Sequence, residues 1–282
     1  MTTGTTPSMR PARSVPEASP LTVPGPVPER AGPAGPASQD RLAQLRDDWS
    51  RLAEEDPLWA VCVDADRRGG RWDIGEFMAT GRAEVGLAMD RLGELGLCSS
   101  RRSALDFGCG VGRLTAALGA YFGSVTGVDI AEPMLARARS LLADQHGLRF
   151  VRNDGADLGA FADESFDLVY SSLVLQHMPG ELAAGYLREF IRVVRPGGAV
   201  VMVVPEAHRL TPGGAVYAWA PGKLISLIQR KVFRYPAPMQ MHTLPARRVR
   251  ALVESAGAQL IDSDPRSGVG EHWRMTCHII AR

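Results

Sequence analysis

ALDFGCGVGRLT, residues Ala104–Thr115, joins a short apolar run to the start of a helix through three glycines. Ala104–Phe107 has the length and composition of a buried strand. A helix is expected over Gly112–Phe122, with Leu114, Leu118 and Phe122 facing inward. Glycines at such a junction let the backbone turn sharply and approach a ligand, and the first helical amides can meet a polar or anionic group. The loop alone does not name that ligand, because nicotinamide and flavin sites use similar loops. Asp106, two residues ahead of the first glycine, would repel a dinucleotide pyrophosphate and suits the amino group and cationic neighbourhood of a sulfonium ligand. Asp129 ends the next strand, where a carboxylate can accept from both ribose hydroxyls; dinucleotide sites share that feature.

Outward from the loop, strands alternate with amphipathic helices. Ser124–Asp129, Leu148–Asn153, Phe166–Ser171 and Ala199–Val204 read as the second to fifth strands. Helices are expected over Glu132–Gln145 and Glu181–Val194, and Pro196-Gly197-Gly198 is expected to turn tightly into the fifth strand. Such alternation predicts parallel βαβ units with ligands at the carboxyl ends of the strands. A helix near Pro245–Ala256 and strands near Gln259–Asp264 and His272–Ala281 follow. No helix separates those two strands, so they are expected to pair antiparallel through Pro265–Gly270. Upstream, Leu42, Leu45, Trp49 and Leu52 form a helical stripe, with Pro57 ending or kinking that helix. After a Gly69-Gly70 loop, a second helix is expected over Thr80–Leu95.

Residues 1–40 hold nine of the twenty prolines and read as a disordered tail. The expected organisation is therefore a tail (1–40), an N-terminal helical cap (41–98) and one domain (99–282) with an insertion at 205–244. Its fold class is α/β: a Rossmann-like, seven-stranded, mostly parallel sheet with an antiparallel final strand and helices on both faces. With 45% hydrophobic residues the chain can bury a core, and a formal net charge of +1 gives no global pull toward nucleic acid or anionic membranes. No signal peptide or transmembrane run is read, and four scattered cysteines suggest neither disulfides nor a zinc site. A cytoplasmic protein is expected.

Five ordered segments resemble the motifs of class I S-adenosylmethionine-dependent methyltransferases. They are ALDFGCGVGRLT, VTGVDIAEPMLARAR (Val125–Arg139), NDGADL (Asn153–Leu158), FDLVYSSLVLQHM (Phe166–Met178) and RPGGAVVMVV (Arg195–Val204). The resemblance implies S-adenosyl-L-methionine as cofactor and S-adenosyl-L-homocysteine as product. By position, Gly108, Gly110 and neighbouring backbone would cradle the methionine end, Asp106 would reach its amino group, and Cys109 and Arg113 are further candidate cofactor contacts. Asp129 would hold the ribose, with Ile130 and Met134 along the adenine. Asn153, Asp154 and Gly155 would meet the adenine edge, and Ser171 and Leu173 the sulfonium end. In related enzymes N-terminal helices fold over the cofactor, which makes Trp72, Phe77 and Arg82 candidate cap contacts; ordinary packing explains the two aromatics equally well. Cys109 reads as a small loop residue, since direct methyl transfer needs no covalent enzyme intermediate.

Methyl transfer is an in-line displacement that needs alignment, plus a base where the nucleophile must lose a proton. His177, just past the fourth strand, is the candidate base, against a reading in which it caps the next turn or touches cofactor. His242, within Met239–Thr243, is a second candidate, against a plain loop histidine. Residues 205–244 read as a lid or as a packed or dimer-forming segment; they contain Tyr217, Trp219, Phe233 and Tyr235. Pro205–Arg250 carries eight basic residues and one acid, which fits either a solvated face or an anionic acceptor.

The reading is a small-molecule methyltransferase acting at O, N or C, in specialised (natural-product) metabolism, with an anionic or aromatic, apolar acceptor. Neither nucleic acid nor membrane is expected as a partner, and monomer and homodimer stay open. Alternatives are an RNA or protein acceptor, a non-catalytic cofactor-binding regulator, and a nicotinamide dehydrogenase. The first lacks an added nucleic-acid module and shows Ser171-Ser172-Leu173-Val174 where an N/D-P-P-Y run would stand.

Overall fold

A computed structural model describes residues 36–266 and 272–282. The tail expected over 1–40 falls, for residues 1–35, outside the described residues. Residues 36–40 are helical, so the expected border at 40 moves back to the start of α1 (Pro36–Glu55). Pro57 does not kink that helix; it opens a new one, α2 (Pro57–Val61), behind an Asp56 cap. Asp56 Oδ1 accepts from the Trp59 amide at 3.3 Å, and Oδ2 accepts from the Gly69 and Gly70 amides at 2.7 and 2.9 Å. One buried carboxylate thereby closes the whole 56–70 excursion. α3 (Ile74–Glu94) starts six residues before the expected Thr80 because Asp73 caps it, accepting from the Glu76 amide at 2.9 Å.

The main domain runs β1 (Ser103–Phe107), α4 (Arg113–Leu118), β2 (Ser124–Asp129), α5 (Glu132–Leu141), β3 (Leu148–Arg152), β4 (Phe166–Ser172), α6 (Gly180–Val193) and β5 (Val194–His208). It continues through α7 (Pro212–Trp219), α8 (Gly222–Lys231), α9 (Ala246–Ser255), β6 (Gln259–Arg266) and β7 (Trp273–Ala281). The seven strands lie in the order β3-β2-β1-β4-β5-β7-β6. β7 is antiparallel to both β5 and β6, and the other neighbouring pairs are parallel. Strand order reverses between β1 and β4, which opens a crevice at their carboxyl ends.

α4 and α5 each end four residues earlier than expected, although Phe122 stays buried. The fifth strand differs most. It includes the Pro196-Gly197-Gly198 segment and continues to His208, because β7 pairs with it as far as His208↔Trp273. The insertion therefore begins after His208, four residues beyond the expected strand end.

β4 is buried along its whole length, as the centre of a sheet covered on both faces must be. On one face Phe107, Tyr186, Phe190 and Val253 form a core with α6 and α9. On the other, Val85, Leu92, Leu118 and Tyr170 pack α3 and α4 onto the sheet. A third cluster joins the N-terminal helices to the loop after β1: Trp59 and Phe77 pack with Val111, Met134 and, from the insertion, Met239. The Arg68 guanidinium lies over the rings of Trp59 (5.0 Å) and Tyr235 (5.1 Å) and donates to the Phe233 and Arg234 carbonyls. That stack ties the cap to the insertion.

Candidate active site

The glycine loop crosses the carboxyl ends of β1 and β2 with left-handed backbone at Gly108 (φ +76°) and Gly110 (φ +53°). A methyl group on Gly108 would lie 2.2 Å from a Val174 methyl, and one on Gly110 would lie 2.7 Å from a Val61 methyl. Only glycine satisfies both the dihedral and the contact. The Gly108 and Cys109 amides donate to the Val128 carbonyl at 2.7 and 2.9 Å, fastening the loop to β2. Asp129 completes the fastening: its Oδ2 accepts from the Gly110 amide and its Oδ1 from the Ala131 amide, both at 2.9 Å. Burial raises this carboxyl above its usual range while the amides pull it back. Two carboxylate oxygens offer about four acceptor positions, so about two remain free for hydroxyl groups.

Asp106 is 1% exposed. Its Oδ2 accepts from the Thr115 hydroxyl at 2.6 Å, and its Oδ1 is buried with no partner among the described residues. Burial pushes this carboxyl up to about 7, against the opposing pull of Thr115 and Arg113. The Ser171 hydroxyl is likewise buried and unpaired among the described residues. These are acceptors and donors prepared for a polar group. Burial drives the Cys109 thiol well above its usual range, which makes it a poor nucleophile at neutral pH.

Other expected donor-site residues sort by what they touch. Met134 is fully buried, and Ile130 is half-buried against the core. Arg113 is turned into the cap: it pairs with Glu84 at 2.9 Å and donates to the Thr80 hydroxyl at 3.3 Å. Asn153 donates to the Asp157 carbonyl at 3.0 Å and shapes the turn that carries Gly155. Asp154 is exposed and paired with Arg152, whose guanidinium holds the carboxyl below its usual range. Leu173 adopts a left-handed φ of +62° at the end of β4, a strained choice for a branched side chain. Phe77 is completely buried against Trp72, their ring centroids 5.6 Å apart. Arg82 is exposed and lines a groove of about 230 Å³ with Met78, Ala116 and Leu142 on the outside of α3, α4 and α5.

The two candidate histidines, far apart in sequence, belong to one cluster. His177 is 9% exposed, and its Nδ1 lies 2.7 Å from the Gln240 carbonyl oxygen. A carbonyl only accepts, so Nδ1 carries the proton and the neutral ring keeps its lone pair on Nε2. Trp49 of α1 meets the ring edge to face at 4.9 Å. Burial, aided by the charge of nearby His242, lowers the His177 imidazole to about 4, against the Gln240 and Leu173 carbonyls. His242 is lowered by burial and by Arg41, and its backbone amide donates to the Gln176 carbonyl at 2.7 Å. His242 Nε2 and Gln176 Oε1 are both buried without partners among the described residues. The segment bearing Gln240 and His242 is fixed by Gln229 of α8. Its side chain accepts from the Met239 amide at 3.0 Å and donates to the Met239 carbonyl at 3.1 Å.

The sequence assigns no site role to Val61, Trp49 and Gln229, which come from distant elements with no local motif to mark them; Val174 and Gln176 lie within the segment Phe166–Met178, but only their contacts with Gly108 and with the His242 amide give them a role. Among the described residues no group of three His, Cys, Asp or Glu is placed to hold a metal ion, and no helix is long and apolar enough to cross a membrane.

The sheet order, the antiparallel β7 and the glycine loop between two acids define the class I S-adenosylmethionine-dependent methyltransferase fold. Residues 105–202 match the family described as Methyltransferase domain. It is 30% identical over 169 residues to 2-methyl-6-phytyl-1,4-hydroquinone methyltransferase of Synechocystis, covering 60% of this chain and 52% of that protein. It is 41% identical over 118 residues to demethylmenaquinone methyltransferase of Staphylococcus aureus, covering 41% of this chain and 48% of that one. The chain thus spans about half the length of the curated relatives it matches. Among solved structures, magnesium protoporphyrin IX methyltransferase of Synechocystis with bound S-adenosylhomocysteine superposes with a TM-score of 0.58 at 18% identity, covering 86% of this chain and 100% of that one. A protein described as a sarcosine dimethylglycine methyltransferase of Galdieria sulphuraria gives 0.52 at 15% identity, covering 74% and 87%. At these identities the likeness is one of fold.

Proposed function

We propose that the protein methylates an apolar, ring-bearing small molecule from S-adenosylmethionine, with His177 as the base that accepts the acceptor's proton. The fixed tautomer of His177 carries this reading: Gln240 holds Nδ1–H, which leaves the Nε2 lone pair on a ring that burial, by lowering it to about 4, keeps neutral and ready to accept a proton that the reacting atom sheds as it is methylated. On the donor side Asp129 has acceptor positions left for the ribose hydroxyls. The unpaired Oδ1 of Asp106 suits the ammonium group, while Gly108 and Gly110 keep the loop backbone bare of side chains at the methionine end. Ile130, Met134 and the Asp154–Gly155 turn flank the adenine, Ser171 and Leu173 border the sulfur, and residues 41–98 cover the donor with Trp72 and Phe77 holding the cover in place. Bound S-adenosylmethionine supplies an electrophilic methyl group. His177 Nε2 takes the proton from an acceptor hydroxyl or amine as that atom bonds to the methyl carbon. The hydroquinone and demethylmenaquinone methyltransferase relatives support an apolar, ring-bearing acceptor.

Thermal-shift titration tests the donor: S-adenosylhomocysteine should raise Tm and NAD should not, and the reverse result removes the proposal. Transfer of labelled methyl to prenylated hydroquinones tests the acceptor class. His177→Ala should lower turnover by about 10²-fold with donor affinity unchanged. Wild-type turnover in that variant would leave His177 a packing residue.

A further inference from the structure

The insertion that fixes the histidine segment also carries an unusual outer surface. Seven of the twelve large apolar side chains exposed among the described residues fall between positions 210 and 233. Trp219 is 87% exposed and Leu210 wholly so. Such side chains occur singly on most surfaces; a concentration on one segment marks a contact. α8 has two distinct sides. Ile225, Ile228 and Gln229 turn inward, Gln229 to its clamp on Met239, while Leu224, Leu227 and Lys231 point outward.

The same surface is cationic. Lys223, Arg230, Lys231 and Arg234 are exposed, and no acid occurs between residues 207 and 253. Arg230 reaches Asp48 only at 4.0 Å, and among the described residues no carboxylate pairs with Lys223, Lys231 or Arg234. A second copy of the chain would set these charges against themselves. A surface of anionic lipid matches both properties at once: apolar side chains enter the acyl boundary, and lysines and arginines meet the phosphates.

We propose that α7 and α8 dock this protein on an anionic lipid bilayer. The proposal revises the expectation of no membrane partner, and it stands apart from the methyl-transfer reading because docking needs no donor. It does bear on that reading: the docked segment is the one that positions the Gln240 carbonyl against His177, so the acceptor side of the crevice would lie close to the lipid.

The test is sedimentation of the full chain with vesicles, without methyl donor. Vesicles are phosphatidylcholine alone or with about a third phosphatidylglycerol, since anionic lipid supplies the attraction. Binding to the anionic vesicles should exceed binding to the neutral ones by about tenfold or more and fall with added salt. Trp219 emission should shift to the blue on binding. Leu227→Asp and a Lys223→Glu/Lys231→Glu pair should each lose binding, whereas Leu87→Asp, at an exposed leucine on α3, should keep it. Equal binding to both vesicle types, or none to either, overturns the proposal. So does a dimer that Leu227→Asp dissociates in a protein that ignores vesicles, which would give this face to a second copy.

Discussion

On the β1–β2 side of the crevice, the bond that fixes the glycine loop spans 19 residues, from the Gly110 amide to Asp129. On the lid side, the bond that fixes the histidine spans 63, from His177 to the Gln240 carbonyl. The first is made by backbone meeting a neighbouring strand end. The second depends on a segment that α8 grips through the Gln229 side chain. On the proposed reading, the donor half is therefore built by the sheet itself, and the acceptor half is borrowed from an insertion. Damage to the lid should leave the donor half standing, whereas damage to the glycine loop should empty both.

The sharpest way to break this contrast is Gly108→Ala. The left-handed φ costs a side chain about 1–2 kcal/mol, and the forced movement of Val174 or the loop about 1–3 more. Calorimetric titration should show S-adenosylhomocysteine affinity down by about 10²-fold or more. Unchanged affinity would mean the donor does not sit on these glycines. Asp129→Ala should cost about 1.5–3 kcal/mol of donor binding, the range for hydrogen bonds to a charged group. An unaltered Kd would place the ribose elsewhere.

A pH series sharpens the donor half further. Asp106 is raised to about 7, so in the free protein it is protonated below that value. A bound ammonium favours the carboxylate, so donor affinity should fall about tenfold per pH unit below 7 and level off above it. Asp106→Asn should abolish the slope; a slope that persists would assign it to another group. The smallest effect belongs to the lid. Gln229→Leu leaves the Met239 amide and carbonyl unpaired at a buried position, a loss of about 1–3 kcal/mol in stability. Denaturant titration should record that loss, and turnover should fall several-fold while donor Kd holds. A matching loss of donor affinity would show that the two halves are not separate.

The same division decides what the sequence could reveal. Short-range rules reach the donor half: glycines at a strand–helix junction, an acid at the next strand end and alternating apolar runs predict the sheet and nominate Asp106 and Asp129, while Met134 is nominated by the family resemblance alone. They misplace boundaries wherever a distant partner decides. β5 runs on to His208 because β7, some 65 positions later in sequence, keeps pairing with it. α3 starts at Ile74 because Asp73 caps it, several residues ahead of its buried apolar positions Val85, Met89 and Leu92. The acceptor half is the opposite case. His177 could be nominated from its place after β4, but its tautomer depends on Gln240, and its packing on Trp49 from the first helix. Val61 and Val174, which wall the glycines, carry no chemical signature at all.

Arg68, stacked between Trp59 of the cap and Tyr235 of the insertion, bears on traffic through the crevice. Because one guanidinium contacts both segments, swinging either one away alone must break this stack and its two hydrogen bonds. The latch thus ties movement of the N-terminal helices to movement of the insertion.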